Sequence, residues 1–167
     1  MPRLDDLAEK LAPLLGGFLP RQRWYAGADA PSSVEVTPIE LRDGDETSPP
    51  LSFTGVPAET AELAVVVRDP DADGFVHWVV AGIPPEATGI DEGAPPADAV
   101  EADNGFDEPG WAGPCPPEGD HTYEFTVYAL AEPSTLESGA SAEDGARTIE
   151  DADALAVATL RGTFERG

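Results

Sequence analysis

The chain alternates between short, dense apolar runs and long polar stretches rich in Pro and Gly. Three runs stand out: AELAVVVRD at 61–69, FVHWVVAGI at 75–83 and YEFTVYAL at 123–130. The first two are continuous rather than alternating, as in strands covered on both faces. The third carries β-branched and aromatic residues at strand density. Near the start, Leu4, Leu7, Ala8, Leu11 and Leu15 keep the i, i+3, i+4, i+7 spacing of an amphipathic helix. Asp5, Asp6 and Glu9 lie at its N-terminal end, where the helix dipole favours them, and Gly16-Gly17 ends it. SVEVTPIEL at 33–41 predicts an edge strand, because Pro38 cannot donate to a ladder. ALAVATLRGTF at 154–164 predicts a short helix passing into a final strand. Residues 84–122 predict a long loop of the kind that is functional or disordered, and Phe106 and Trp111 imply that it packs down.

A chain of 167 residues suits one compact domain with a small appendage. Its 17 Gly and 18 Pro support a turn-rich, mainly β fold. Charge changes the picture more: 33 acids against 9 bases give −24. This excludes non-specific nucleic-acid binding and a polybasic membrane contact, both of which need a basic surface. Lys10 is the only lysine, and an acidic, Lys-poor surface fits a halophilic protein whose self-repulsion is screened by salt. The charge is uneven: residues 1–42 hold five bases and six acids, and residues 43–167 hold four bases and 27 acids. That shift predicts an N-terminal extension, 1–42, joined near LRDGDETSPP to a domain spanning 43–167. Cys115 is the sole cysteine, so no internal disulfide can form and a reducing compartment is implied. With no signal-peptide pattern and no bilayer-length apolar run, the expected location is cytoplasmic, without integral membrane association.

The candidate chemistry lies in RDPDADGFVHWVV, residues 68–80. Asp69, Asp71 and Asp73 crowd into five positions and lead into a strand carrying His77. The other histidine, His121, follows a Pro/Gly-rich turn. An imidazole can donate to an anion's oxygen and changes charge near neutrality. A neighbouring aspartate fixes its tautomer and favours the protonated form. Asp-Pro-Asp also caps turns, and Asp73 is assigned to a turn or surface role. Arg68, next to Asp69 on a strand, should point to the opposite face. Metal-ligand spacings, a G-x-S-x-G elbow and a G-x-x-x-x-G-K phosphate loop are all missing from the sequence. A non-enzymatic protein without a cofactor is therefore expected. Cys115, with no basic residue nearby in sequence, reads as inert.

Four segments, SPPLSFTGVP, DPDADGFVHWVVAGIPPEATGI, GWAGPCPPEGDHTYEFTVYAL and LRGTFER, occur in this order. Over residues 43–166 the chain thereby resembles the phosphatidylethanolamine-binding protein family, in its bacterial and archaeal Raf-kinase-inhibitor-like branch. The resemblance implies a β-sandwich with short helices and a small anion-accepting pocket at one end. It implies ligand-binding roles for Asp69, Asp71, His77, Gly113, Pro114, Pro116 and His121. These fall on the D-P-D-x-P motif, here ending in Asp73 instead of proline, the strand histidine, the G-x-P-P turn, and the G-x-H-R motif. The last of these ends in Thr122 where the family carries arginine, which removes a fixed cation from beside the aspartates.

The expected function is a binding protein for a small phosphorylated or anionic ligand, with a regulatory role. Residues 1–45 separately resemble the N-terminal cap of maltokinase-type kinases, through LPRQRWYAG. An alternative is therefore a protein–protein interaction module with a vestigial pocket. It would dock a protein partner through Arg21, Arg23, Trp24 and Tyr25. A third reading is a metal-assisted hydrolase using the same His/Asp set.

Overall fold

The structure, a computed structural model, describes residues 24–26, 35–36, 47–113 and 120–165. The strands are β1 (Trp24–Ala26), β2 (Glu35–Val36), β3 (Leu51–Thr54), β4 (Glu62–Asp69) and β5 (Phe75–Ile83). They continue with β6 (Gly89–Ile90), β7 (Val100–Glu101), β8 (Asp120–Leu130) and, after helix α1 (Ala142–Glu150), β9 (Ala154–Glu165). Six strands form one sheet in the order β1-β9-β8-β4-β5-β7, and β2-β3-β6 form a second. Every pairing is antiparallel.

β4 shows why its apolar run is unbroken. Leu63, Val65 and Val67 pack with Leu51 and Phe53 of β3 and Ile90 of β6, which makes the inner layer of the sandwich. Ala64 and Val66 face the other way, into a second cluster with Ala146 and Ile149 of α1. Over 63–67, where β4 is covered on both faces, no position is left for a polar side chain. β3 has one covered face and alternates accordingly, with Leu51 and Phe53 buried and Ser52 and Thr54 exposed.

The expected helix at the start of 154–164 is not there. β9 is one continuous strand paired to β8 from Glu165 opposite Asp120 to Ala154 opposite Leu130. Its buried residues, Ala156, Ala158 and Leu160, recur at period two, and this overrides the helix preference of alanine. The helix falls earlier, at α1. Ser141 caps it by accepting the Asp144 N–H, and Glu143 and Asp144 sit in its first turn. Arg68 ties α1 to the sheet: Nε donates to Glu150 Oε1 at 2.6 Å, and Nη1 donates to Glu143 Oε2 at 3.2 Å and to the Gly74 carbonyl at 2.9 Å. Arg68 therefore lies on the face opposite Asp69, as strand geometry requires.

The long loop is shorter than the sequence implies. β6 and β7 each add a short ladder, and β8 begins at Asp120, so His121 sits on a strand instead of at the end of the expected 84–122 loop. Residues 102–112 are stapled along β5, where Ala102, Gly105 and Ala112 donate to the carbonyls of Val79, Val76 and His77. Of the N-terminal extension, the helix expected over 4–15 and residues Arg21 and Arg23 lie outside the described residues. The strand expected at 33–41 is described at Glu35–Val36, paired to Phe53 and Thr54. Trp24–Ala26 pairs with Leu160–Gly162, so β1 is an outer strand of the larger sheet among the described residues.

Candidate functional site

Strand parity assembles the site. On β4, Asp69 follows Leu63, Val65 and Val67 on the inner face. On β8, His121 precedes Tyr123, Phe125 and Val127 on the same face. β5 would fail to join them without an irregularity. Val67 pairs with Trp78 and Arg68 pairs with Val76, so His77 is an extra residue with no partner on β4. This β-bulge turns His77 toward the side that holds Trp78, while Val76 faces the α1 cluster.

The β4–β5 turn is built around the aspartates. Asp69, 2% exposed, caps the 3₁₀ turn Pro70–Ala72 by accepting the Asp71 N–H through Oδ1 at 2.9 Å. Its Oδ2 lies 2.6 Å from His121 Nδ1, so this nitrogen carries a hydrogen toward the carboxylate. Asp71 accepts the Thr122 N–H at 2.6 Å and pins the turn to β8. Asp73 ends the turn in the left-handed region at φ 55°, a conformation aspartate tolerates and proline cannot reach. Asp71 and Asp69 thus find donors although Thr122 replaces an arginine.

His77 is 4% exposed. Its Nδ1 donates to the Ala112 carbonyl at 2.8 Å, and its Nε2 is buried with no hydrogen-bond partner among the described residues. Aromatic rings enclose it: Phe75 at 4.8 Å, Tyr123 at 5.1 Å and Trp111 at 6.2 Å between ring centres. Burial pushes the imidazole below its ordinary pKa; the hydrogen bond to Ala112 and the Asp69 charge oppose this, and His121 adds to it.

Asp69, His77 and His121 line one cavity of about 160 Å³. Phe75, Tyr123 and Phe106 form much of its wall, and Gly113 reaches its edge. Phe106 is 61% exposed and packs at a tilt against Phe75, 4.8 Å between ring centres, so it forms an apolar rim. Gly105 permits this: a Cβ there would lie 2.4 Å from the Phe75 ring. Asn104, buried, fixes the rim by donating to the Gly110 carbonyl and accepting from the Phe106 N–H.

Of the residues expected at the site, the structure brings Asp69, His77, Gly113 and His121 together. Asp71 is exposed and acts one step back, through the turn. Pro114 and Pro116 lie outside the described residues, as does Cys115. Phe75, Phe106 and Tyr123 were not anticipated as walls, although Phe75 and Tyr123 each lie two positions from a histidine on the same strand. A larger open groove of about 530 Å³ runs along α1 between Glu132 and Asp153. None of its lining residues is buried, so it holds no polar group in a fixed, dry position. Among the described residues, no three His, Cys, Asp or Glu side chains gather as a metal site. No described helix is long and apolar enough to cross a membrane.

The fold and site define a β-sandwich protein with a small His/Asp pocket at one end of its larger sheet. The chain belongs to the phosphatidylethanolamine-binding protein family, whose sequence model matches residues 14–165. It is 44% identical over 132 residues to a UPF0098 protein of Methanothermobacter thermautotrophicus, covering 75% of this chain and 87% of the relative. It is 40% identical over 143 residues to LppC of Mycobacterium tuberculosis, whose name includes the word lipoprotein; the match covers 81% of this chain and 70% of that one. Among solved structures it resembles YbcL of Escherichia coli, described as a new member of the mammalian PEBP family. The TM-score is 0.71 and the identity 29%, over 81% of this chain and all of that one.

Proposed function

We propose that this protein is a non-enzymatic receptor for a small phosphoryl head group, and that occupancy of its pocket regulates its association with a protein partner. One observation carries the reading: the chain's only two histidines, 44 positions apart, converge with a buried aspartate on a single cavity. His121, held by Asp69, can donate from Nε2 when protonated, and the His77 ring lines the same space. The apolar walls raise the strength of any hydrogen bond made inside. A volume of about 160 Å³ suits a phosphoryl group with a short substituent and excludes a large ligand. We place the protein in a cytoplasm of high ionic strength on the basis of its charge of −24.

Thermal denaturation with phosphate and with phosphoethanolamine tests the reading. At one hundred times the dissociation constant a ligand adds about 2.7 kcal/mol, which raises the Tm of a domain of this size by roughly 5–11 °C. An unchanged Tm with both, up to tens of millimolar at constant ionic strength, would remove the phosphoryl receptor.

A further inference from the structure

We propose that the pocket selects a phosphoryl group carrying its own proton, that is, a phosphate or phosphomonoester monoanion, and discriminates against anions that can only accept hydrogen bonds. The inference rests on the phosphoryl reading above and specifies the protonation state of its ligand. A carbonyl oxygen can only accept, so the 2.8 Å contact to Ala112 assigns the imidazole hydrogen to Nδ1 of His77. In the neutral ring Nε2 is then a lone pair. That nitrogen is buried and finds no donor among the described residues, although its ring lines the cavity. The ring's surroundings hold it in this state: Phe75 on its own strand, Tyr123 on β8 and Trp111 beyond β7 pack against it. The charged or titratable groups facing it are Asp69 at the end of β4 and His121 and Tyr123 on β8. No arginine or lysine lines the cavity among the described residues.

A phosphate dianion would set its acceptor oxygens against this lone pair and beside the Asp69 carboxylate. A monoanion reverses both terms. Its P–OH donates to His77 Nε2, and an unprotonated oxygen accepts from the Nε2–H that His121 carries when its ring is protonated, Nδ1–H being held by Asp69. No bond is made or broken; the ligand arrives with its proton and keeps it. A site that requires a donor rejects an isostere lacking one by large factors when the acceptor is buried.

The test is competition binding by calorimetry at pH 6 and constant ionic strength. The ligands are phosphate, sulfate (matched in size), dimethyl phosphate (matched in charge) and glycerophosphoethanolamine, a phosphodiester whose donors, an ammonium and two alcohol hydroxyls, all lie on its substituents. Phosphate is expected to bind at least about tenfold more tightly than sulfate and dimethyl phosphate. In His77→Phe this ratio is expected to fall toward one. Nitrogen-15 spectra of the wild-type chain provide a readout independent of any variant's folding: the His77 Nε2 resonance should stay in its unprotonated range in the phosphate complex. Equal binding of phosphate and sulfate, or a protonated His77 Nε2 in the complex, would overturn the inference and leave the phosphoryl receptor standing. Preference for glycerophosphoethanolamine would overturn it in favour of a donor on the ligand's substituents. Failure of all four ligands would remove the phosphoryl reading together with the inference.

Discussion

Asp69→Asn changes one buried atom from oxygen to nitrogen and thereby tests what holds the site together. Asp69 is 2% exposed and accepts from two donors, Asp71 N–H at 2.9 Å and His121 Nδ1–H at 2.6 Å. Asparagine can keep the first bond with its carbonyl oxygen. It then points an N–H at His121 Nδ1, which must lose its hydrogen or turn away. What disappears is one charge-assisted hydrogen bond in a dry setting, worth about 1.5–3 kcal/mol. Removing the carboxylate's desolvation cost offsets part of this. The offset is incomplete because both donors remain aimed at the site. At about 2–4 °C per kcal/mol, Tm should fall by roughly 3–12 °C at pH 6. The urea midpoint should fall with an unchanged slope, as expected when stability changes without a change in compactness. A cycle with His121→Ala should give a coupling of about 1–3 kcal/mol between the two positions. If the variant melts at or above the wild-type temperature, or the coupling is under ~0.5 kcal/mol, the pair does not fix His121 and the geometric account of the cavity is wrong.

Three further outcomes follow from the same structure. His77 has a folded-state pKa held below its ordinary value by burial, so the unfolded chain takes up a proton that the native ring resists. The stabilisation is complete above about pH 6.5 and is lost as pH falls below it, by at most about 1.4 kcal/mol per pH unit; His77→Phe should flatten this part of a stability–pH curve, and an unchanged slope would place the titration elsewhere. Gly105→Ala puts a Cβ 2.4 Å from the Phe75 ring, so calorimetry should show a loss of about 1–3 kcal/mol and ring-current shifts should show Phe75 displaced toward the cavity; neutrality would mean that the rim is loosely packed. With a net charge of −24, Tm should rise from low to molar potassium chloride as self-repulsion is screened, and a flat response would remove the high-salt reading.

The strands at the centre of the sheet were legible because burial on both faces forces an unbroken apolar run. AELAVVVRD and FVHWVVAGI fall within a residue of β4 and β5. Parity along β4 also separates Asp69 from Arg68 without coordinates. The bulge at His77 was not legible. Nothing local distinguishes His77 from its neighbours, because the extra residue is defined by what it fails to pair with on β4. β9 was misread because Ala is small enough for either period, and only its pairing with β8 decides. α1 was missed although Ser141, Glu143 and Asp144 form a start signal, since its apolar stripe is just Ala146 and Ile149. The cavity's aromatic walls were hidden for another reason. Phe106 reaches the site through a loop whose path depends on Asn104 and Gly105. The Ala112 carbonyl that sets the His77 tautomer is a backbone atom, which no motif records.

The proposed receptor requires that two imidazoles share one small, largely apolar cavity and sense the same ligand. Because the chain has only two histidines, their ring signals can be followed without ambiguity during a phosphate titration by two-dimensional NMR. The account predicts that His77 and His121 shift together along one saturable curve with a single dissociation constant. Movement of just one ring, or two curves with different midpoints, would contradict it.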